Sequence, residues 1–117
     1  MWNIPVTETY KLWHQALSAK DQARVLAMLD LLEKEGPRLG RPYADTIKGS
    51  RFSNMKELRI QRRGEPLRIF YVFSPEREGI LLCAGNKSGD DKRFYDIMIP
   101  LADEEYTEYL NHLYQSR

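Results

Sequence analysis

A predicted pair of strands joined by a short turn constrains the fold of this chain more than any other feature. The segment at residues 55–73 reads MKELRIQRRGEPLRIFYVF, with the turn at residues 63–66. Leu58 and Ile60 alternate with polar residues, which is the period-two pattern of a strand with one apolar face. The second strand is apolar on both faces apart from Arg68, so we expect it to lie in the centre of a sheet.

Arg68 is the one charge in this second strand. A buried unpaired charge is very costly, so its guanidinium must reach water, a carboxylate or a ligand. One interpretation is a structural ion pair, for example with Glu57, and the other is a role in binding. The strand pattern alone leaves both interpretations open.

Positive charge is concentrated in one part of the sequence. Residues 38–68 contain nine Lys or Arg and three acidic residues, a net charge of +6, whereas the whole chain carries +1. Such a zone suits a phosphate-bearing partner or an acidic protein surface. The alternative is a solvated basic face that binds nothing in particular.

Length and composition predict one domain, residues 1–117, with a single hydrophobic core. Cys83 is the only cysteine, which excludes an internal disulfide, and its apolar neighbours predict a small buried core residue. No apolar run approaches membrane-spanning length and the first residues do not resemble a signal peptide. We therefore expect a cytoplasmic protein.

Two helices are predicted before the strand pair. Thr7 is predicted to be the N-cap of a helix that runs to about Leu17, and Ser18 the N-cap of a second helix. Gly36 and Pro37 end the second helix sharply. The apolar stripes of both helices predict a helical hairpin that covers one face of a sheet.

The other segments complete a predicted α+β fold. We expect an opening strand at residues 2–6, a connector at residues 39–54 and a buried strand at residues 80–84. Residues 97–99 form a short strand or a helical turn, and Pro100 suits the first turn of a last helix. The fold is then an N-terminal helical hairpin on a small, mainly antiparallel sheet, plus a C-terminal helix. The second sheet face is left partly open, and by strand parity it can carry Arg59 and Arg68.

The candidate site consists of cations. The two distant histidines and the lone cysteine offer no metal-ligand set, and no nucleophile motif is present. RNA suits a metal-free cationic site because its 2′-hydroxyl is already a nucleophile, which the protein need only orient. Arginine binds phosphate bidentately, a lysine or tyrosine can transfer protons, and an aromatic ring can stack on a base.

Five segments in order resemble the RelE/ParE superfamily of bacterial toxins, specifically its HigB-like, often phage-associated branch. The segments are RPYAD at 41–45, MKELRI at 55–60, RIFY at 68–71, LCAGNK at 82–87 and KRFY at 92–95. The resemblance extends over residues 2–113 and implies a RelE-like fold. It also implies a toxin that cleaves mRNA, in many members on the translating ribosome, by attack of the 2′-hydroxyl without metal or cofactor.

The resemblance also implies site residues and a partner. Arg59 and Arg68 match the arginines that bind the scissile phosphate, Lys87 and Lys92 match catalytic lysines, and Tyr95 falls near the residue used for stacking or proton transfer. The partner is a neutralising helix-turn-helix antitoxin, through which the toxin meets DNA only indirectly. We expect contacts with RNA or the ribosome from the basic and aromatic residues Arg41, Lys48, Arg51, Lys56, Arg62, Arg63, Arg93 and Phe94.

Two other functions remain compatible with the sequence. A ParE-like gyrase inhibitor would use the same fold against a different target. A non-catalytic module would use the basic zone only to bind nucleic acid or protein.

Overall fold

A computed structural model of the protein describes residues 1–115. The predicted single domain also includes Ser116 and Arg117, which lie outside the described residues. Within residues 1–115, three α-helices and four strands follow in the order α1 (Glu8–Gln15), α2 (Ala19–Glu35), β1 (Ala44–Thr46), β2 (Lys56–Ile60), β3 (Leu67–Phe73), β4 (Gly79–Asn86) and α3 (Asp91–Gln115). The sheet order is β1-β2-β3-β4 and neighbouring strands are antiparallel.

The predicted strand pair forms the middle of the sheet. β3 lies between β2 and β4, which confirms its central position. Arg59 of β2 is the register partner of Arg68 of β3. Because directly opposed residues of an antiparallel pair lie on one face, both arginines belong to the same face of the sheet.

The helical hairpin is confirmed, with the predicted caps. The hydroxyl of Thr7 accepts a hydrogen bond from the Tyr10 amide, and that of Ser18 accepts one from the Asp21 amide. α2 is followed by Gly36 at φ +61°, where an added Cβ would collide with the indole ring of Trp2. These helices cover one face of the sheet, where the buried side chains include Val25, Leu32, Leu58, Ile69 and Tyr71.

The last helix begins at Asp91, so the prediction that Pro100 lies in its first turn is wrong. Pro100 lies inside α3, and residues 97–99 are helical. The side chain of Asp90 accepts hydrogen bonds from the amides of Lys92 and Arg93 at 3.0 and 3.4 Å. An aspartate N-cap therefore starts the helix.

Two predictions about the edges of the sheet, the opening strand and the connector, are also wrong. Residues 2–6 form isolated parallel bridges from Asn3 to Glu78 and from Val6 to Leu81, and no continuous strand. Pro5 between them has no N–H to donate to a ladder. The predicted connector contains β1, which pairs with β2 and forms one edge of the sheet.

The sequence predicted that the second face of the sheet is partly open, and α3 covers the part of this face that β3 and β4 form. Phe70, Val72 and Leu82 pack there against Met98 and Tyr106 of the helix. The cover is larger than predicted because α3 starts earlier. Cys83 is buried on this face as predicted, and burial raises the pKa of its thiol to about 12, which keeps it protonated. No helix within residues 1–115 is both long enough and apolar enough to cross a membrane.

We predict that Leu32→Ala lowers the free energy of unfolding by about 2–5 kcal/mol, because it leaves a cavity in the core. Leu32 is fully buried in α2. Leu26→Ala is the matched control, since Leu26 lies in the same helix and is 56% exposed. The control should change the free energy by no more than about 0.5 kcal/mol in urea denaturation. Equal losses in the two variants would contradict the described packing of α2.

Candidate functional site

The carboxylate of Glu57 lies at the centre of the candidate site. Glu57 is 4% exposed, and its Oε1 accepts a hydrogen bond from the Tyr95 hydroxyl at 2.6 Å. The Nε of Arg59 lies 3.3 Å from Oε2, and the Nε of Arg68 lies 3.6 Å from Oε1. A buried carboxylate needs such partners because its desolvation is otherwise uncompensated. Side chains from β2, β3 and α3 thus meet at one group.

The two arginines of this cluster have different surroundings. The Arg68 side chain is 6% exposed, and its Nη1 donates a hydrogen bond to the Leu67 carbonyl. The sequence left two interpretations of Arg68 open, and the structure contains the ion pair with Glu57. The Arg59 side chain is 31% exposed and also lies 3.6 Å from Asp45. Arg59 is the arginine that can reach a ligand from this position.

Tyr95 is held as a neutral phenol. Burial raises its pKa to about 12, and the hydrogen bond to Glu57 acts in the same direction, while Arg68 opposes the shift. At neutral pH this hydroxyl is a proton donor. The Nζ of Lys87 lies 5.9 Å from the centre of the Tyr95 ring and 3.3 Å from Asp91.

A cleft of about 320 Å³ opens beside this cluster. It is lined by β1 and β2, by the loop that follows β1, and by α3, through residues Thr46, Ile47, Lys48, Glu57, Arg59, Tyr95 and Ile99. The lining of the cleft therefore includes a guanidinium, an ammonium and a phenol, together with the largely buried carboxylate of Glu57. No group of His, Cys, Asp or Glu side chains among the described residues is arranged to hold a metal ion.

The other predicted site residues lie around the cleft or away from it. Lys48 lines the cleft, and Arg41 is paired with Asp45 at 2.9 Å near its edge. Arg51 follows Lys48 in the same loop and donates a hydrogen bond to Thr107 of α3. Lys48 thus lines the cleft itself, whereas Arg41 and Arg51 are paired with carboxylates in neighbouring segments.

Lys92 lies outside the cleft and is 84% exposed, with its Nζ 2.8 Å from Asp96. It precedes Tyr95 by three residues on α3, so both lie on neighbouring parts of one helix face. Arg93 is exposed, whereas Phe94 is partly buried against Phe70 and Tyr95.

The remaining predicted contacts are separated from the cleft. Lys56 donates a hydrogen bond to the Pro37 carbonyl beside the helical hairpin. Arg62 binds Asp21 of α2 at 2.7 Å, and Arg63 is exposed in the turn between β2 and β3. The structure thus distributes the basic zone over different surfaces.

Sequence reasoning missed the central position of Glu57, which it considered only as an example of an ion-pair partner. A signal was present, because Glu57 and Arg59 are two residues apart on one strand and so share a face. Their meeting with Tyr95 depends on where α3 begins, which the sequence analysis predicted wrongly.

Comparisons with known proteins agree with the resemblance found in the sequence. The family profile described as Phage derived protein Gp49-like (DUF891) matches residues 13–107. The chain is 47% identical over 98 residues to the candidate toxin HigB3 of Mycobacterium tuberculosis, covering 84% of each chain. It is 43% identical over 110 residues to the candidate toxin HigB2 of the same organism, covering 93% of this chain. The chain spans about half the length of HigB2, since the match covers 54% of that protein.

Solved structures confirm the predicted RelE-like α+β fold. The isolated RelE toxin of E. coli matches with a TM-score of 0.60 and 13% identity, covering 84% of this chain and 97% of RelE. A chain of the E. coli RelBE toxin–antitoxin complex matches with a TM-score of 0.58 and 15% identity, covering 77% of this chain and 100% of that chain. At these identities the likeness concerns the fold alone.

We predict that Glu57→Gln lowers the pKa of Tyr95 from about 12 toward its ordinary value of 10.0, because a charged acceptor is lost while burial remains. The tyrosinate absorbance of the parent minus that of Tyr95→Phe isolates this group. The folded-state pKa lies above the value of 10.0 expected in the unfolded chain, so the neutral phenol stabilises the fold below pH 10. That contribution is lost as the pH rises toward 12.

Tyr43→Phe is the matched control, since it removes a hydroxyl from a ring that is 47% exposed. The response to Glu57→Gln should be the same in this background as in the parent. A Tyr95 pKa that does not change in Glu57→Gln would contradict the hydrogen bond as a cause of the shift.

Proposed function

The chain belongs to the Gp49-like family of phage-derived proteins, and we propose that it is the toxin of a toxin–antitoxin pair that acts as an mRNA endonuclease. The observation that carries this proposal is the cluster of Glu57, Arg59 and Tyr95 at an open cleft. These groups can accept a proton, neutralise a phosphate and donate a proton. The 2′-hydroxyl of RNA supplies the nucleophile, so the proposed reaction uses neither metal nor cofactor.

Arg59 is the proposed phosphate ligand. Its guanidinium is partly exposed beside the cleft and can form paired hydrogen bonds to phosphate oxygens. A bound phosphate would share this guanidinium with the carboxylates of Asp45 and Glu57. The positive charge would then stabilise the phosphorane, whose negative charge exceeds that of the starting diester.

Glu57 is the proposed general base. Its carboxylate takes the proton of the attacking 2′-hydroxyl as the new bond from the 2′-oxygen to phosphorus forms. Arg68 was expected at the scissile phosphate, but its burial beside Glu57 favours a positioning role. In that role it holds the carboxylate toward the cleft and stabilises its charge.

Tyr95 is the proposed general acid. Its neutral phenol gives a proton to the leaving 5′-oxygen as the bond between phosphorus and that oxygen breaks. The 2.6 Å hydrogen bond from Tyr95 to Glu57 then provides a path that returns the proton from the carboxylic acid to the phenolate. The products are a 2′,3′-cyclic phosphate and a 5′-hydroxyl, and the site regains its starting protonation.

The cations around the cleft are proposed to hold the RNA strand. Lys48 and Arg51 belong to the loop after β1. Lys87 directly follows β4 and lies beside the Tyr95 ring, and Lys92 lies in the first turn of α3. Their charge attracts the phosphate backbone without selecting a base. We further propose that the toxin acts as one domain in the cytoplasm on ribosome-bound mRNA, and that a helix-turn-helix antitoxin neutralises it.

We predict that Glu57→Gln and Tyr95→Phe each slow RNA cleavage about 10²- to 10⁴-fold, as expected for loss of a general base or acid. Arg59→Ala should slow it about 10²- to 10³-fold by removing phosphate stabilisation. The measurement is cleavage of a ribosome-bound transcript, alongside growth arrest on expression. Lys34→Ala is the matched control, because this exposed cation pairs with Asp30 of the same helix, α2, and belongs to no part of the cleft lining.

Different results would identify a different function. Growth arrest with DNA breaks and intact transcripts would favour a gyrase inhibitor. Harmless expression of soluble, folded parent protein would favour a non-catalytic binding module. Glu57→Gln leaves two arginines without their carboxylate, so its folding should be checked by thermal denaturation before its rate is interpreted.

We predict that a metal chelator leaves the cleavage rate of the purified toxin unchanged, because the cleft supplies positive charge from arginine and lysine. The cleaved RNA should carry 2′,3′-cyclic phosphate and 5′-hydroxyl ends. RNA end-labelling with and without phosphatase treatment distinguishes these ends from the 5′-phosphates that water attack leaves. Cleavage that stops on chelation, or 5′-phosphate ends, would contradict the 2′-hydroxyl mechanism. Ribosomes need Mg²⁺, so this assay uses free RNA at high toxin concentration.

A further inference from the structure

The loop at residues 48–51, here called the basic loop, is attached to α3 through a buried carboxylate. Asp103 is 5% exposed, and its Oδ1 accepts a hydrogen bond from the hydroxyl of Ser50. Its Oδ2 accepts a hydrogen bond from the backbone amide of Arg51 at 3.0 Å. The Ser50 hydroxyl in turn accepts one from the Phe52 amide at 3.0 Å. A single side chain of α3 therefore organises successive residues of the loop.

The two ends of the basic loop are held by other contacts. The amide of Ile47 donates to the Met55 carbonyl at 2.9 Å, and the Phe52 ring packs edge-on against Tyr106 at 4.7 Å. Between these ends, Gly49 has φ +95°, a conformation that favours glycine. The middle of the loop thus relies on Asp103, while its ends are held by packing and by the backbone.

The attachment lies next to the proposed active site. Ile99 of α3 lines the cleft, and Asp103 follows it by four residues, so both lie on one face of the helix. Lys48 at the start of the basic loop lines the same cleft as Glu57 and Tyr95. The position of the loop on α3 therefore sets where the Lys48 ammonium lies relative to these groups.

Packing alone does not explain a carboxylate at this position. Asp103 lies between Ala102 and Tyr106, which contribute to the apolar core under α3. An apolar side chain would fit that environment without the desolvation cost of a buried charge. The hydrogen bonds to Ser50 and Arg51 offset this cost, and the Arg51 guanidinium lies 3.9 Å from Oδ2. All of these contacts hold the basic loop against α3.

We propose that Asp103 is a positioning residue that holds the basic loop against α3 and thereby fixes Lys48 at the cleft, where it strengthens binding of the RNA strand. This proposal rests on the proposed endonuclease function. It predicts an effect on substrate binding, because Asp103 acts through the loop and does not itself line the cleft. The proton-transfer groups Glu57 and Tyr95 are held by other contacts and should keep their positions.

The first test measures the loop itself with trypsin, which cleaves after Lys48 and Arg51. Asp103→Ala should increase the rate of cleavage at these sites at least about tenfold, because it removes both hydrogen bonds that Asp103 accepts from the loop. Cleavage after Lys34 in α2 should not change, which separates local release of the loop from global unfolding. Glu104→Ala is the matched control, since this exposed neighbour lies 3.9 Å from the same Arg51. Unchanged cleavage after Lys48 and Arg51 in Asp103→Ala would overturn the proposal.

The second test measures cleavage of a ribosome-bound transcript by the full chain. Asp103→Ala should raise KM about tenfold and change kcat less than about twofold, because a loss of binding leaves the chemical step intact. Asp103→Asn keeps an acceptor oxygen and should recover part of the KM loss. An unchanged KM with a released loop, or an equal loss in kcat, would overturn the positioning role.

Two further results distinguish a failure of the Asp103 proposal from a failure of the proposed endonuclease function. If Asp103→Ala does not fold, Ser50→Ala tests the same attachment from the loop side and should raise both tryptic cleavage and KM by a smaller factor; no change in either would overturn the proposal. A parent protein that cleaves no RNA would overturn the endonuclease function and the proposed effect on KM together. Tryptic cleavage would still decide whether Asp103 holds the loop.

Discussion

The site depends on compensating the buried charge of Glu57. Its carboxylate lies between the guanidiniums of Arg59 and Arg68 and accepts a hydrogen bond from Tyr95. Removing one partner of such a group leaves an uncompensated charge, which is more costly than never having buried the pair. The same contacts connect β2, β3 and the start of α3. They therefore bring the proposed acid, the proposed base and the proposed phosphate ligand to one cleft.

Much of the fold followed from local patterns in the sequence. Alternation in residues 55–73 predicted β2 and β3, and hydroxyl caps at Thr7 and Ser18 predicted the helical hairpin. The failures came where a local rule competed with a stronger one. Pro100 suggested a helix start, but the Asp90 cap and the apolar contacts of Met98 extend α3 on its N-terminal side. β1 is a short edge strand within a segment rich in turn residues, so its pairing with β2 left little pattern in its own sequence.

Less of the candidate site could be predicted, because its geometry depends on contacts between distant segments. Strand parity placed Arg59 and Arg68 on one face, and the register confirms this. Parity could not show that Arg68 is covered by α3, which leaves Arg59 as the exposed member of the pair. The attachment of the basic loop through Asp103 joins residues more than fifty positions apart, and each taken alone resembles an ordinary polar surface residue. The sequence predicted which residues carry positive charge in the basic zone. The contacts of Asp103 with the basic loop and of Glu57 with Tyr95 became visible only in the folded structure.

The central claim is that Glu57 and Tyr95 act as one proton-transfer unit. A double-mutant cycle with Glu57→Gln and Tyr95→Phe, measured as single-turnover RNA cleavage, tests it most directly. The account predicts strong non-additivity, with a coupling energy of at least about 1 kcal/mol, because either substitution alone breaks the path that connects base and acid. If the losses of transition-state stabilisation in the two single variants add up to that of the double variant within about 0.5 kcal/mol, the two groups act independently, which would contradict the account.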